Sequence, residues 1–156
     1  MIAHLDRAGA IRLLEMVVIE RGTSYRYVSQ AGRLCVYVER NGVNPGCASC
    51  IVGKALAIHG VSVISMHKWD NAHYGFSEYH QPQDGNASFE NIYRTFGLSE
   101  WMDEAAAVAF LAAQVAQDVG KTYGEVLYAA QIAPDTFDQW EDRQAKPSEQ
   151  WNAYAA

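Results

Sequence analysis

The sequence predicts a single α+β domain, with an N-terminal helix, a β-hairpin and a mainly helical body that ends in an antiparallel helix pair. The length of 156 residues suits one domain. Apolar residues recur at helical spacing before residue 22 and after residue 50, and a short stretch between them alternates apolar and polar side chains. Pro134 interrupts the pattern. We therefore place the domain at residues 1–134 and expect a polar, aromatic tail or docking arm at residues 135–156.

The first element is an amphipathic helix over residues 7–21. Ile11 and Leu14 begin a series of apolar residues at helical spacing. Asp6 has the side chain of a helix N-cap, and Gly22 stands where a helix would stop.

A β-hairpin is expected next. Residues 24–28 and 34–39 have the composition of strands, and the second stretch alternates apolar with polar side chains. The connection between them has hairpin length and includes Gly32. Two strands alone are marginal, so the hairpin must pack against helices.

The helical body begins with a short helix over residues 50–59, for which Ser49 is the expected cap. The next segment allows two interpretations. It forms either a further helical turn over residues 63–69, capped by Ser62, or a strand over residues 61–65. The pattern alone does not decide between them.

A long aromatic loop is expected over residues 70–87. It is polar and marked by Gly and Pro, and a loop of this length inside a domain is usually functional. Ser88 then caps a short helix over residues 89–96.

The C-terminal helix pair carries the clearest signals. Ser99 is the expected cap of the longest helix, over residues 100–119. Thr122 and Glu125 have the spacing of a capping box, which starts a last helix over residues 123–131. The short link requires the two helices to lie nearly antiparallel.

Charge and hydropathy exclude several functions. The net charge is −6, with nine basic and eight acidic residues in residues 1–98 and three against ten in residues 99–156. No Lys or Arg cluster is present, which disfavours nucleic-acid binding. Even the longest stretches without Asp, Glu, Lys or Arg, such as residues 105–117, are too short to cross a bilayer. Walker A, Gly-x-Gly-x-x-Gly and Gly-x-Ser-x-Gly motifs are absent, so no cofactor is expected.

The cysteines predict a cytoplasmic protein. Three cysteines are an odd number, which does not suit a disulfide framework, and the N-terminus lacks a secretory signal. Cys47-x-x-Cys50 is read as two small thiols that pack at a helix start. The alternative is a metal- or thiol-dependent protein, in which Cys35, Cys47, Cys50 and His59 hold a metal ion.

A second group of candidate residues carries imidazoles and carboxylates. His67, Asp70, His73, Glu78 and His80 lie close together in the sequence, and such a set can bind a divalent metal or supply acid–base catalysis. No metal-binding helix motif accompanies them, so they are interpreted as a polar surface loop. The sequence therefore favours a protein that is not an enzyme.

Exposed aromatic side chains are the expected contact surface, because aromatic residues are enriched at binding hot spots. Core packing is the alternative role. The candidate partner-binding residues are Trp69, Tyr74, Phe76, Tyr79, Trp140 and Trp151. Gln114, Gln117 and Asp118 are expected at the polar flank of the long helix, with a recognition patch as the alternative.

Two segments carry a resemblance. Residues 45–56 resemble a Pro-x-Cys-Ile-Val-Gly-x-x-Leu block, in which Cys50 aligns with the block's cysteine and Cys47 is an extra. Residues 113–127 resemble an Ala-Gln-x-x-Gln-Asp-x-Gly-x-x-Trp-Gly-x-Ala-Leu block, with Tyr123 in place of Trp. Both are similar to small uncharacterised proteins of actinobacteria and their phages. The resemblance implies a cytoplasmic, phage-encoded accessory protein and supplies no known activity. The expectation from all these observations is a non-enzymatic interaction module whose partner is a host protein or a second copy of the chain.

Overall fold

The computed structural model describes residues 1–28, 37–41, 44–75 and 88–145, without the side chains of residues 39–47 and 71–75. The described elements are α1 (Arg7–Arg21), β1 (Val38–Asn41), β2 (Asn44–Ala48), α2 (Ile51–His59), α3 (Val63–Gly75), α4 (Phe89–Thr95), a 3-10 turn (Leu98–Glu100), α5 (Glu104–Asp118), α6 (Tyr123–Gln131) and α7 (Phe137–Ala145). None of the described helices has the length and apolarity needed to cross a bilayer.

The α+β prediction is wrong, because helices make up most of the described chain. β1 and β2 form only a short antiparallel ribbon, in which Val38 pairs with Ala48. The predicted hairpin does not form: residues 24–28 are not a strand, and Arg26 makes a single bridge to Thr122. Residues 29–36 lie outside the described residues.

The backbone of residues 23–25 forms hydrogen bonds with the start of a helix and not with a β-strand. The carbonyl oxygens of Thr23 and Tyr25 accept hydrogen bonds from the amides of Gly124 and Tyr123, at 2.9 and 2.8 Å. The first N–H groups of a helix have no acceptor within it. The extended stretch therefore provides acceptors for the start of α6, and this use replaces strand pairing.

The local capping signals are mostly confirmed. Asp6 Oδ1 accepts a hydrogen bond from Gly9 N at 2.7 Å at the start of α1. The capping box of Thr122 and Glu125 is present at the start of α6. The cap of α2 is Cys50, whose Sγ accepts from Gly53 N at 3.3 Å. The predicted cap, Ser49, lies one residue too early.

The structure also resolves the open choice for the segment after residue 62 and corrects the predicted start of the longest helix. The segment after residue 62 is a helix, α3, and Ser62 Oγ accepts a hydrogen bond from Ser65 N at 3.1 Å. α5 starts at Glu104 and not at residue 100. Before it, the chain pairs with the N-terminal segment: Leu5 N donates to Trp101 O at 2.7 Å, and Asp103 N donates to Leu5 O at 3.0 Å. This pairing keeps residues 101–103 out of the helix.

The core is built around α5, which packs against α1, α2, α4, α6 and α7. Six alanines of α5 are buried: Ala106, Ala107, Ala109, Ala112, Ala113 and Ala116. Small side chains at a contact allow helix axes to approach closely. One helix can therefore contact five neighbours.

Two buried glutamines of α5 bind the starts of other helices. Gln114 Oε1 accepts from Phe89 N, the first residue of α4, at 3.0 Å, and Gln117 Oε1 accepts from Ile51 N, the first residue of α2, at 2.9 Å. Gln114 Nε2 also donates to the Tyr37 hydroxyl at 2.7 Å. We call Gln114 and Gln117 the glutamine pair. Their predicted surface position is wrong, because both are nearly inaccessible and supply acceptors that two helices lack.

Residues 137–145 of the predicted tail form α7. Its side chains Phe137 and Trp140 are buried, and Phe137 N donates to the Glu104 carboxylate at 2.9 Å. α7 thus packs against the start of α5. Residues 146–156 lie outside the described residues.

Candidate functional site

A groove of about 300 Å³ opens beside α3. It is formed by the N-terminal segment, the link between α2 and α3, α3 itself, and the stretch from the end of α4 to residue 101. The lining residues are Ile2, Val61, Ser65, Lys68, Trp69, Phe96, Leu98 and Trp101. Six of these eight side chains are apolar, and of these Ile2, Phe96 and Trp101 are partly exposed to solvent, whereas the other three are nearly buried.

The N-terminal wall of the groove is fixed by backbone and side-chain contacts. The pairing of Leu5 with residues 101–103 holds the N-terminal segment beside Trp101. The His59 ring stacks on Trp101 with 5.9 Å between ring centroids, and its Nε2 lies 2.8 Å from Ala3 O. Since a carbonyl oxygen only accepts, His59 donates this hydrogen bond. Ile2 and Trp101 are thereby placed on the same side of the groove.

The opposite wall is one face of α3. Ser65, Lys68 and Trp69 are three and four residues apart, so they share this face. The Trp69 ring is held edge-on against Tyr37 at 5.9 Å and lies 6.1 Å from the Phe96 ring. Phe96 is 36% exposed and Ile64, next to this face, is 63% exposed. The apolar surface therefore extends beyond the groove itself.

The described lining of the groove includes two polar side chains, Ser65 and Lys68. Among the described residues, no carboxylate forms an ion pair with Lys68. The Ser65 hydroxyl accepts from Ser62 Oγ at 2.9 Å, and within the described part of the chain its own proton has no acceptor. The lining contains no carboxylate, imidazole or thiol among its described residues. Its described side chains can contact apolar groups and bind a negatively charged group.

The structure divides the candidate partner-binding aromatics. Trp69 is only 3% exposed and presents one edge to the groove. Trp140 is 5% exposed and belongs to the core, because α7 packs with its apolar face inward. Tyr74 lies in α3, but its side chain is not described, and Phe76, Tyr79 and Trp151 lie outside the described residues.

The alternative metal site does not assemble from its described members. Cys50 and His59 stand at opposite ends of α2, and a helix rises about 1.5 Å per residue, so their Cα atoms are about 13 Å apart. Ligand bonds to zinc are about 2.0–2.3 Å, too short for both side chains to reach one ion. Cys35 and the side chain of Cys47 are not described. The described residues contain no group of three or more potential metal ligands.

Two members of the imidazole and carboxylate group have described side chains, Asp70 and His67, and they lie three residues apart on α3. The Asp70 carboxylate is buried and accepts hydrogen bonds from the amides of Tyr37 and Val38, at 3.2 and 3.1 Å. It therefore anchors the start of β1 to α3. His67 lies on α3 with a buried Nδ1 that has no hydrogen-bond partner within the described structure. The side chain of His73 is not described, and Glu78 and His80 lie outside the described residues.

Of the residues that line the groove, only Trp69 is predicted from the sequence as a candidate for partner binding. The lining residues come from positions 2 to 101, and no local spacing joins them. The one sequence signal was an excess of apolar residues around turns, for example Phe96 and Leu98 on either side of Gly97. Comparison with known proteins adds nothing to this picture: no family profile, curated protein or solved structure is significantly similar to the chain.

Proposed function

We propose that the protein is a non-enzymatic protein-interaction module, which binds an apolar segment of a partner protein in the groove beside α3. The observation that carries the proposal is the composition of the groove. Three aromatic side chains, Trp69, Phe96 and Trp101, line it together with aliphatic residues, and Lys68 is the one charged residue of its described lining. Aromatic residues are enriched at interface hot spots, whereas Lys is depleted at interface centres.

Both walls of the groove are fixed by contacts within the chain, which favours binding. The N-terminal wall is fixed by the Leu5 pairing and by His59, and the α3 wall is fixed by the contacts of Trp69. A site formed before binding avoids the cost of ordering side chains during association. The proposed partner is a host protein, and a second copy of the chain is the alternative that an oligomerisation measurement would reveal.

Selection from a random peptide display library tests the proposal without knowledge of the partner. The immobilised protein is expected to enrich peptides with a large apolar residue. Synthetic versions of these peptides should bind the wild-type chain at least about tenfold more tightly than the Phe96→Ser variant, because a hot-spot residue contributes about 2 kcal/mol or more and a tenfold change corresponds to about 1.4 kcal/mol. Isothermal titration calorimetry measures both affinities.

Two further variants make the result decisive. Trp101→Leu removes a second aromatic wall while keeping an apolar side chain, and circular dichroism checks that both groove variants remain folded. Ile19→Ser is the matched control, because Ile19 is an exposed apolar residue of α1, is 82% exposed and does not line the groove. Peptides that bind the folded groove variants as tightly as the wild type would overturn the proposal.

A further inference from the structure

We infer that the groove selects a partner segment in which a large apolar side chain is flanked by a carboxylate. This inference rests on the proposed function and names the chemistry of the partner. It starts from the two polar side chains of the lining, Ser65 and Lys68, which lie three residues apart on the groove face of α3. Residues at this spacing are neighbours on a helix surface.

Both side chains have donor capacity that the described chain does not use. Lys68 is exposed, and no described carboxylate pairs with it. The Ser65 hydroxyl accepts a hydrogen bond from Ser62, and its proton is available for a further acceptor. A carboxylate has acceptor sites for several donors, so one carboxylate can bind the ammonium group and the hydroxyl together.

The apolar walls favour this use of Lys68. A lysine stem packs along apolar surface while its charged end stays at the edge. An apolar residue that enters the groove removes water near the ammonium group, and the lower local dielectric strengthens its attraction for a negative charge. An uncharged flanking residue would leave the ammonium group without a partner at the same position.

The charge of the whole chain makes this prediction easy to distinguish from non-specific attraction. The net charge of −6 would attract basic peptides over long range. A preference for acidic flanks must therefore come from a local group. Lys68 is the one described basic residue of the groove lining.

Three synthetic peptides with neutral, blocked ends test the inference: Gly-Asp-Phe-Asp-Gly, Gly-Asn-Phe-Asn-Gly and Gly-Lys-Phe-Lys-Gly. Titration into the isotopically labelled full chain, followed by NMR, gives the dissociation constants. We expect the Asp peptide to bind about threefold more tightly than the Asn peptide, which is typical of an exposed ion pair. This preference should fall as salt is added, and the Lys peptide should bind most weakly.

Substitutions then assign the preference to a residue. Lys68→Ala should remove most of the preference for the Asp peptide over the Asn peptide, and Lys68→Glu should reverse the order so that the Lys peptide binds best. Ser65→Ala should reduce the preference without reversing it. Lys121→Ala is the control, because it removes the same charge outside the groove, and it should leave the order unchanged.

The outcomes separate this inference from the proposed function. Equal binding of the Asp and Asn peptides to the wild-type chain would overturn the inference, and so would an unchanged order in Lys68→Glu. Failure of all three peptides to shift groove resonances would also overturn it. In each case the proposed function still depends on the Phe96→Ser comparison, which does not involve charge.

Discussion

The glutamine pair and the groove beside α3 use polar side chains in opposite ways. Gln114 and Gln117 are buried on α5, and their side-chain oxygens accept hydrogen bonds from the first residues of α4 and α2. Lys68 and Ser65 lie at the groove and retain donors that no described residue accepts. Polar groups satisfied within the chain serve folding, whereas polar groups left open next to an apolar surface are available to a partner.

The buried Gln117 also joins the two segments that carry the resemblance, residues 45–56 and 113–127. Ile51 belongs to the first block and Gln117 to the second, and the two residues are joined by a buried hydrogen bond of 2.9 Å. Tyr123, where the block has Trp, is buried, and its hydroxyl lies 3.4 Å from Gln117 Oε1. Burial is the main cause that raises the pKa of Tyr123, so the hydroxyl keeps its proton and donates it. The two blocks therefore meet in the core, where their residues hold helices together.

The largest expected effect tests how tightly the region around the glutamine pair is packed. A Cβ at Gly53 would lie well under 3.0 Å from the carbonyl oxygen of Tyr37. Gly53→Ala should therefore lower the free energy of unfolding by about 3 kcal/mol, at the upper end of the usual cost of overpacking. Urea unfolding measures this change.

A matched glycine controls for the change of residue type. At Gly124, the first contact of a Cβ would be at 3.3 Å from Thr23, which a small shift can relieve. Gly124→Ala should therefore cost much less than Gly53→Ala. Equal losses in the two variants would contradict the close approach of α2 to Tyr37.

The next effect separates the glutamine pair from the groove directly. Gln117→Leu removes the acceptor of Ile51 N and leaves a buried donor without a partner, which should cost about 2 kcal/mol of stability. Lys68→Ala, at the groove, should change stability by less than about 0.5 kcal/mol. Urea unfolding of both variants tests the comparison. A large loss in Lys68→Ala would show that this residue also serves folding.

The smallest effect concerns the cap of α6. Thr122 Oγ1 donates to Glu125 Oε1 at 2.9 Å and accepts from Glu125 N at 3.3 Å. Thr122→Ala should lower the free energy of unfolding by about 1 kcal/mol, as is usual for an N-cap. Urea unfolding at neutral pH measures this change.

The same cap predicts a dependence on pH. The hydrogen bond from the Thr122 side chain is the main cause that lowers the pKa of Glu125 below its ordinary value. A lowered pKa means that the contribution is complete above the ordinary glutamate range and is lost as the pH falls through the lowered value. The stability difference between wild type and Thr122→Ala should therefore shrink as the pH falls below the ordinary pKa of glutamate, about 4.3, and on through the lowered pKa of Glu125. A constant difference would contradict this account.

Short-range signals in the sequence were the reliable ones. The caps at Asp6, Ser88 and the Thr122–Glu125 box join groups within three residues, so the local sequence contains all that forms them. The hairpin prediction was wrong because the alternation in residues 34–39 indicates extended backbone but does not identify the segment with which that backbone pairs. Thr23 and Tyr25 supply acceptors to α6, and this tertiary pairing is not encoded in local periodicity.

The buried glutamines of α5 also depend on tertiary contacts that the local sequence does not predict. Gln114 and Gln117 look like a polar flank, since glutamine is usually exposed. Their role depends on where α2 and α4 begin, 66 and 25 residues away in the sequence. The groove could not be predicted for the same reason, because Ile2, Val61 and Trp101 meet only after the helices pack.

The position of the tryptophans has a practical consequence. The chain has four tryptophans, and two of them, Trp69 and Trp101, line the groove. A bound segment would exclude water mainly from the partly exposed Trp101 ring, because Trp69 is already nearly buried. Intrinsic fluorescence can therefore report occupancy of the groove without a label. The Trp101→Leu variant identifies the part of the signal that comes from Trp101.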